Sequence, residues 1–281
     1  MYYAVISFSA LLFALQFMFS EGYQKENGSG LEASLKLSFY TSILGFAVLF
    51  MINGFRIKIT LFSIAIAVVL GIVNIVINYS TVRAFQYGNL SIYSVFSMIG
   101  GMLLPFIYGI LCGEKLTIMK LICCILITMA VAITVNRGDS YRKAFKYYIT
   151  VFIFNGMVGI ISKFHQSYSG ICVDSASFVM LTSITTLLLS AVLMACVKVE
   201  DLKISIKSFA LCMGGAVFNK VANLMLLIAL IRLPASVQYP IVTGGVIVFS
   251  TIIDLLRKVK VSKKETVAAA VACVATVFMA L

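Results

Sequence analysis

Charge is the scarcest property of this chain. Only 11% of its 281 residues are Asp, Glu, Lys or Arg, while 62% are apolar, and mean hydropathy is +1.08. A soluble domain carries about 25% charged residues, and no soluble core of this length could hide so much apolar surface. The composition therefore implies an all-α polytopic membrane protein.

Other absences narrow the chemistry. There is one histidine, His165, so no H-E-x-x-H metal helix can be built, and there is no P-loop, which excludes ATP drive within the chain. The cysteines (Cys112, Cys123, Cys124, Cys172, Cys196, Cys212 and Cys273) form no C-x-x-C pair. Most fall in apolar runs and read as small hydrophobes, neither metal ligands nor disulfides. Carboxylates are missing from the middle of every apolar run. Glu21, Glu26, Glu32, Glu114, Asp139, Asp174, Glu200, Asp201, Asp254 and Glu265 all fall in loops or near run ends. An intramembrane enzyme would need paired aspartates or a Ser/His pair in facing spans, and His165 lies at an apparent span end. No enzyme, cofactor or metal is expected.

What remains is a succession of runs long enough to cross a bilayer, which takes about 20 apolar residues. Ten are legible: Tyr3–Ser20, Ala33–Asn53, Thr60–Arg83, Leu90–Leu111, Leu116–Val135, Tyr147–Phe164, Ser175–Val197, Ser208–Ile231, Ser236–Leu256 and Lys264–Leu281. The first has no Lys or Arg ahead of it and reads as a retained span, not a signal peptide. No connection is long enough for a soluble domain. The net charge of +12 sits in short loops, where Lys and Arg set topology and meet lipid headgroups, so nucleic acid is not an expected partner.

The two halves echo each other. Asn74 and Asn78 in Gly71–Ser80 match Asn219 and Asn223 in Ala216–Met225 (219 − 74 = 223 − 78 = 145), and residues 84–136 overlie 229–281 without gaps. The basic linker Asn136–Lys146 divides the chain at its midpoint, giving repeats 1–138 and 139–281. Five spans per repeat is odd, so the second copy must enter the membrane upside down, an inverted repeat.

Ten spans as five plus five, the Tyr87-Gly-Asn-Leu-Ser91 turn into the fourth, and Gly113-Glu114-Lys115-Leu116-Thr117 after it resemble the drug/metabolite transporter superfamily, specifically its EamA-like branch. The second half departs from the pattern, with Lys258-Val259 where a glycine–glutamate is often found. The resemblance implies secondary transport of small organic metabolites, with both termini cytoplasmic. Charge says otherwise: most basic residues lie in the odd-numbered loops, which by the positive-inside rule puts the termini outside.

Lys220 is the sharpest feature. A lysine near the bilayer centre costs about 2.5–3.5 kcal/mol on insertion scales, so it must face a polar cavity or a partner. It could bind an anionic group or cycle a proton; alternatively it is paired structurally. Asn74 with Asn78, and Asn219 with Asn223, each share one helix face at i, i+4, either lining a cavity or joining helices. Gln16, Tyr93, Gln238 and Tyr239 are further cavity candidates. Lys36, Arg83 and Lys163 read as snorkelling residues near span ends. Gly100, Gly101, Gly244 and Gly245, with Pro105 and Pro240, punctuate the fourth and ninth spans and would permit bending.

The expected function is secondary transport of a small metabolite, an amino acid or organic anion, by alternating access in a bacterial plasma membrane. Membrane lipid and a coupling proton are the other expected partners, and the protein is expected to be a monomer or homodimer. The alternatives are an exporter of cationic drugs or quaternary compounds, which would want an embedded carboxylate, and a non-transporting scaffold subunit.

Overall fold

In the computed structural model of the chain, the described residues are 2–87, 90–113, 117–118, 121–122, 125–126, 128–129, 139–199, 201–259, 261 and 263–280. Among them, regular structure is entirely helical. Nine continuous helices are present: α1 (Tyr2–Asn27), α2 (Leu31–Ile52), α3 (Leu61–Phe85), α4 (Leu90–Leu111), α5 (Asp139–Ser167), α6 (Ser175–Val197), α7 (Ile206–Leu230), α8 (Ala235–Leu256) and α9 (Lys263–Ala280). The first eight are long and apolar enough to cross a membrane, and the protein is a multi-pass membrane protein. The expected fifth span, Leu116–Val135, falls largely outside the described residues, as do Glu114 to Leu116 of the glycine–glutamate turn and Asn136 to Gly138 of the linker.

Helix starts follow local chemistry. Thr60, Asp174 and Ser205 cap α3, α6 and α7, each side chain accepting from the backbone N–H three residues on, which satisfies one of the orphan donors of a helix N-terminus. Two boundaries differ from expectation. The first helix does not stop at Ser20 but continues to Asn27, and the linker Asn136–Lys146 is helical from Asp139 onward. The extension of α1 is made possible by ion pairing. Glu21, only 2% exposed, meets Lys25 one turn along at 2.7 Å and Arg257 at the end of α8 at 2.5 Å. Asp254, with no exposed surface, lies 3.9 Å from the same guanidinium. Both carboxylates are buried; Glu21, expected in a connection, lies within the extended α1, whereas Asp254 keeps its expected place near a span end.

Contacts between helices fix their relative directions. Helices α1 and α7 are antiparallel, with Ser9 against Ala222 and Asn27 against Ser208. So are α3 and α5, with Ser63 against His165 and Tyr79 against Tyr147. Helices α4 and α5 run parallel, Phe96 beside Tyr148 and Pro105 beside Gly159, as do α1 and α8, Ala10 beside Gly245 and Glu21 beside Arg257. Helix α3 runs along α6, and α2 along α7. One end of the bundle, the first face, therefore holds the C-termini of α1, α3, α6 and α8; the second face holds those of α2, α4, α5 and α7. The chain leaves α4 on the second face and enters α5 on the first.

The α4–α5 contact is made backbone to backbone. A Cβ on Gly100 would overlap the Phe152 carbonyl, and Gly156 lies equally close against Gly100 and Leu104. Small residues at such crossings let apolar helices approach closely enough for dispersion to hold them. Large apolar side chains in mid-helix such as Ile72, Leu188 and Val192 point outward from the bundle, where hydrocarbon would meet them.

Candidate functional site

A cavity of about 190 Å³ lies inside the bundle, with walls from α1 to α8. Of the residues singled out from sequence, Lys220, Asn219, Asn223, Asn74, Asn78, Gln16, Tyr93 and Tyr239 all line it. Gln238 does not. Its side chain is fully buried and donates through Nε2 to the Leu226 carbonyl at 2.6 Å, so it ties α8 to α7 instead of facing the cavity. The helical period explains the split, because Gln238 and Tyr239 are neighbours about 100° apart on a helix and only one can face a given wall.

Lys220 is 8% exposed and makes no ion pair or side-chain hydrogen bond among the described residues. Its aliphatic stem crosses from α7 to lie against α2 at Gly45, where an added Cβ would stand 2.6 Å from Cγ and 2.7 Å from Cε. The missing side chain at position 45 is what admits the lysine.

The amides are held in place by their own donors. Asn78 gives its Nδ2 to Ser38 Oγ at 2.9 Å, and Asn223 gives its Nδ2 to the Asn219 carbonyl, also at 2.9 Å. Tyr93, 1% exposed, shares a hydrogen bond of 2.7 Å with Thr81 and packs edge-on against Phe17. Gln16 donates to Ser20 one turn along.

Sequence reasoning missed Asn155. It lies on α5 and gives Nδ2 to the Ser97 carbonyl at 2.6 Å and to Ser97 Oγ at 3.2 Å, beside Gly101 on the cavity wall. A polar signal was available, since Asn155 is the one amide in Tyr147–Phe164; it has no counterpart at the repeat spacing. Ser97, Ser162, Thr182 and Thr243 also line the cavity and are too common in membrane helices to stand out alone. Among the described residues, no Asp or Glu lines the cavity.

His165 lies in the last turn of α5, at the span end expected for it, and there it is 1% exposed, stacked on Phe178 at 3.8 Å, and 2.8 Å from Ser63 Oγ in the facing helix. Ser63 Oγ also accepts from Thr60 Oγ1 at 2.8 Å and from the Val173 N–H at 3.2 Å. Both its lone pairs are taken, so its proton goes to His165 Nε2, which fixes the imidazole as neutral with its hydrogen on Nδ1. This Ser/His pair is buried and outside the cavity lining.

The same device occurs at the opposite end. Ser205 caps α7 and donates to Ser208 Oγ at 2.9 Å, and Ser208 exchanges bonds with Asn27 of α1. Ser205 and Ser208 lie 145 residues after Thr60 and Ser63. The four thiols described, Cys112, Cys172, Cys196 and Cys212, are free, and no cluster able to hold a metal is found among the described residues.

No family model matches this chain, and no curated protein does so significantly. The fold is shared with solved structures: 27 chains match it. One crystal structure superposes over 99% of this chain and 96% of its own with a TM-score of 0.65, at 14% sequence identity. At that identity the likeness shows the fold and carries nothing about substrate.

Proposed function

We propose that the protein is a secondary transporter moving a small organic metabolite, an amino acid or organic anion, across a bacterial plasma membrane by alternating access. It does so on a ten-span 5+5 inverted repeat of the kind its sequence resembles, the EamA-like branch of the drug/metabolite transporters. The observation that carries this reading is Lys220: a buried cation with no partner among the described residues, in the lining of a cavity with five asparagines. A charge held in hydrocarbon without a counter-ion is expensive and marks a binding or ion pathway, and an anionic substrate would supply the missing partner.

Symmetry supports the repeat. Replacing α1, α2, α3 and α4 by α5, α6, α7 and α8 exchanges the helix contacts in pairs: α1–α7 for α5–α3, both antiparallel, and α4–α5 for α8–α1, both parallel. Thr243 on α8 donates to the Met98 carbonyl on α4 at 3.0 Å, across the repeat distance of 145 residues, as expected on a pseudo-two-fold axis. Helix α4 ends on one face and α5 starts on the other, which supports a fifth span in the expected run Leu116–Val135. A central site between inverted halves is the arrangement that rocking-bundle transport uses.

A cationic-drug exporter is the weaker reading, because no carboxylate among the described residues lines the cavity. A non-transporting scaffold would have no need of an unpaired buried lysine. The test is thermal stabilisation of the purified protein by a panel of amino acids, organic acids, phosphorylated metabolites and organic cations, with wild type beside Lys220→Ala, followed by liposome flux. An anion that raises the melting temperature of wild type and not of the folded variant supports the reading. Stabilisation by cations alone, or an equal response of both proteins, overturns it. Proton coupling would show as flux driven by an imposed pH gradient.

A further inference from the structure

The transport reading leaves open which chemistry the cavity selects. Resting on that reading, we propose that the substrate is a small polyhydroxylated anion, with a carboxylate or phosphate on Lys220 and hydroxyl groups on the asparagine carbonyls. Three amides carry the argument. Asn78, Asn155 and Asn223 each spend Nδ2 on a protein acceptor, namely Ser38 Oγ, the carbonyl and hydroxyl of Ser97, and the Asn219 carbonyl. An amide whose NH₂ is engaged by the protein offers its carbonyl oxygen to whatever fills the space beside it. None of these three oxygens receives a donor from the described residues, so they mark points of the cavity lining that accept hydrogen bonds and ask the ligand to donate them.

Hydroxyls and ammonium groups both donate. They are separated by charge: Lys220 already brings one positive charge into a cavity of about 190 Å³, and the ligand's anionic group neutralises it. A second cation there would find no lining carboxylate and would repel the lysine in a poorly screened interior. Hydroxyl groups satisfy the same oxygens without that cost. The cavity is also smaller than the 300–1,000 Å³ common for drug-sized ligands, which favours a short chain.

The proposal is tested with the detergent-purified full chain by measuring apparent Kd for gluconate, glycerol 3-phosphate, hexanoate, glucose and serine from ligand-dependent melting. Gluconate or glycerol 3-phosphate is expected to bind at least about tenfold more tightly than hexanoate, the gain of one or two neutral hydrogen bonds, with glucose showing no shift. The stronger of the first two tells carboxylate from phosphate recognition. Asn78→Leu and Asn223→Leu should erase the advantage over hexanoate, read as the ratio of the apparent Kd values for hexanoate and gluconate in each variant. Equal binding of hexanoate and gluconate would overturn the polyol inference and leave the transport site intact. Tighter binding of serine would overturn it in favour of a zwitterion. Failure of every anion would overturn both this inference and the reading of Lys220 as substrate anchor.

Discussion

Gly45 and Lys220 are a matched pair: the lysine stem occupies the volume that any side chain at position 45 would fill, with the hypothetical Cβ 2.6 Å from its Cγ. Gly45→Ala should therefore displace the ammonium without breaking the bundle. Alanine gains up to about 1 kcal/mol of helix propensity over glycine, so the melting temperature should hold or rise while anion affinity falls about tenfold or more. Unchanged affinity would mean that the lysine's position is not set by this contact.

Removing the charge should have a similar two-sided outcome. Lys220→Met keeps the stem and deletes a buried, unpaired cation, so the ligand-free protein should be stabilised by about 1–3 kcal/mol, on the scale of the insertion cost of a central lysine. Ligand-induced stabilisation should vanish. Urea or thermal unfolding in a fixed detergent measures the first, and the shift with added anion the second. A destabilised variant would show instead that Lys220 is held by the protein.

At the second face, His165→Ala should cost about 1–3 kcal/mol, because the Ser63 hydroxyl hydrogen is left without an acceptor in a buried setting. Ser63→Ala combined with His165→Ala should cost less than the sum of the single changes, since the two share one hydrogen bond. Additive losses would mean that the pair interacts only through packing.

Arg257→Ala should destabilise more than Lys25→Ala. Arg257 reaches both Glu21 and Asp254, two carboxylates with almost no exposure, whereas Lys25 is more than half exposed and meets Glu21 alone. Loss of one partner of a buried pair strands the other charge and costs roughly 3–5 kcal/mol when burial is complete. The partial exposure of Arg257 puts the expected loss below that range.

Sidedness is open to a direct test. The first face carries Lys25, Lys36, Lys203, Lys207, Arg257 and Lys258, whereas Arg56, Lys58, Lys163 and Arg232 lie toward the second. The positive-inside rule makes the first face cytoplasmic. On a cysteine-free background, restored Cys112 at the second face should react with an impermeant maleimide in intact cells, and Lys203→Cys only after permeabilisation. The reverse pattern would place the basic face outside.

The sequence made some of this legible and hid the rest for definite reasons. Hydropathy marked all nine described helices, eight of them long and apolar enough to cross a membrane, and the 145-residue register of the asparagines pointed to the cavity wall because i, i+4 spacing shows one face. Gln238 was misjudged because sequence periodicity near the start of α8 does not say which of two adjacent polar residues turns inward. Glu21 was misplaced because its helix is extended by Arg257, 236 residues away, a partner no local pattern can supply. Gly45 went unmarked for the same reason, as its role exists only beside a side chain from α7.

The Ser63 oxygen has one further consequence. A single atom receives the N-cap of α3, the backbone leading into α6 and, through its proton, the end of α5. Its valence is full. Helices that meet only through apolar side chains can slide past one another by fractions of an ångström, trading one dispersion contact for another. At this corner they cannot, because any displacement of α5 against α3 has to break a countable bond before another can form. Movement there comes in steps.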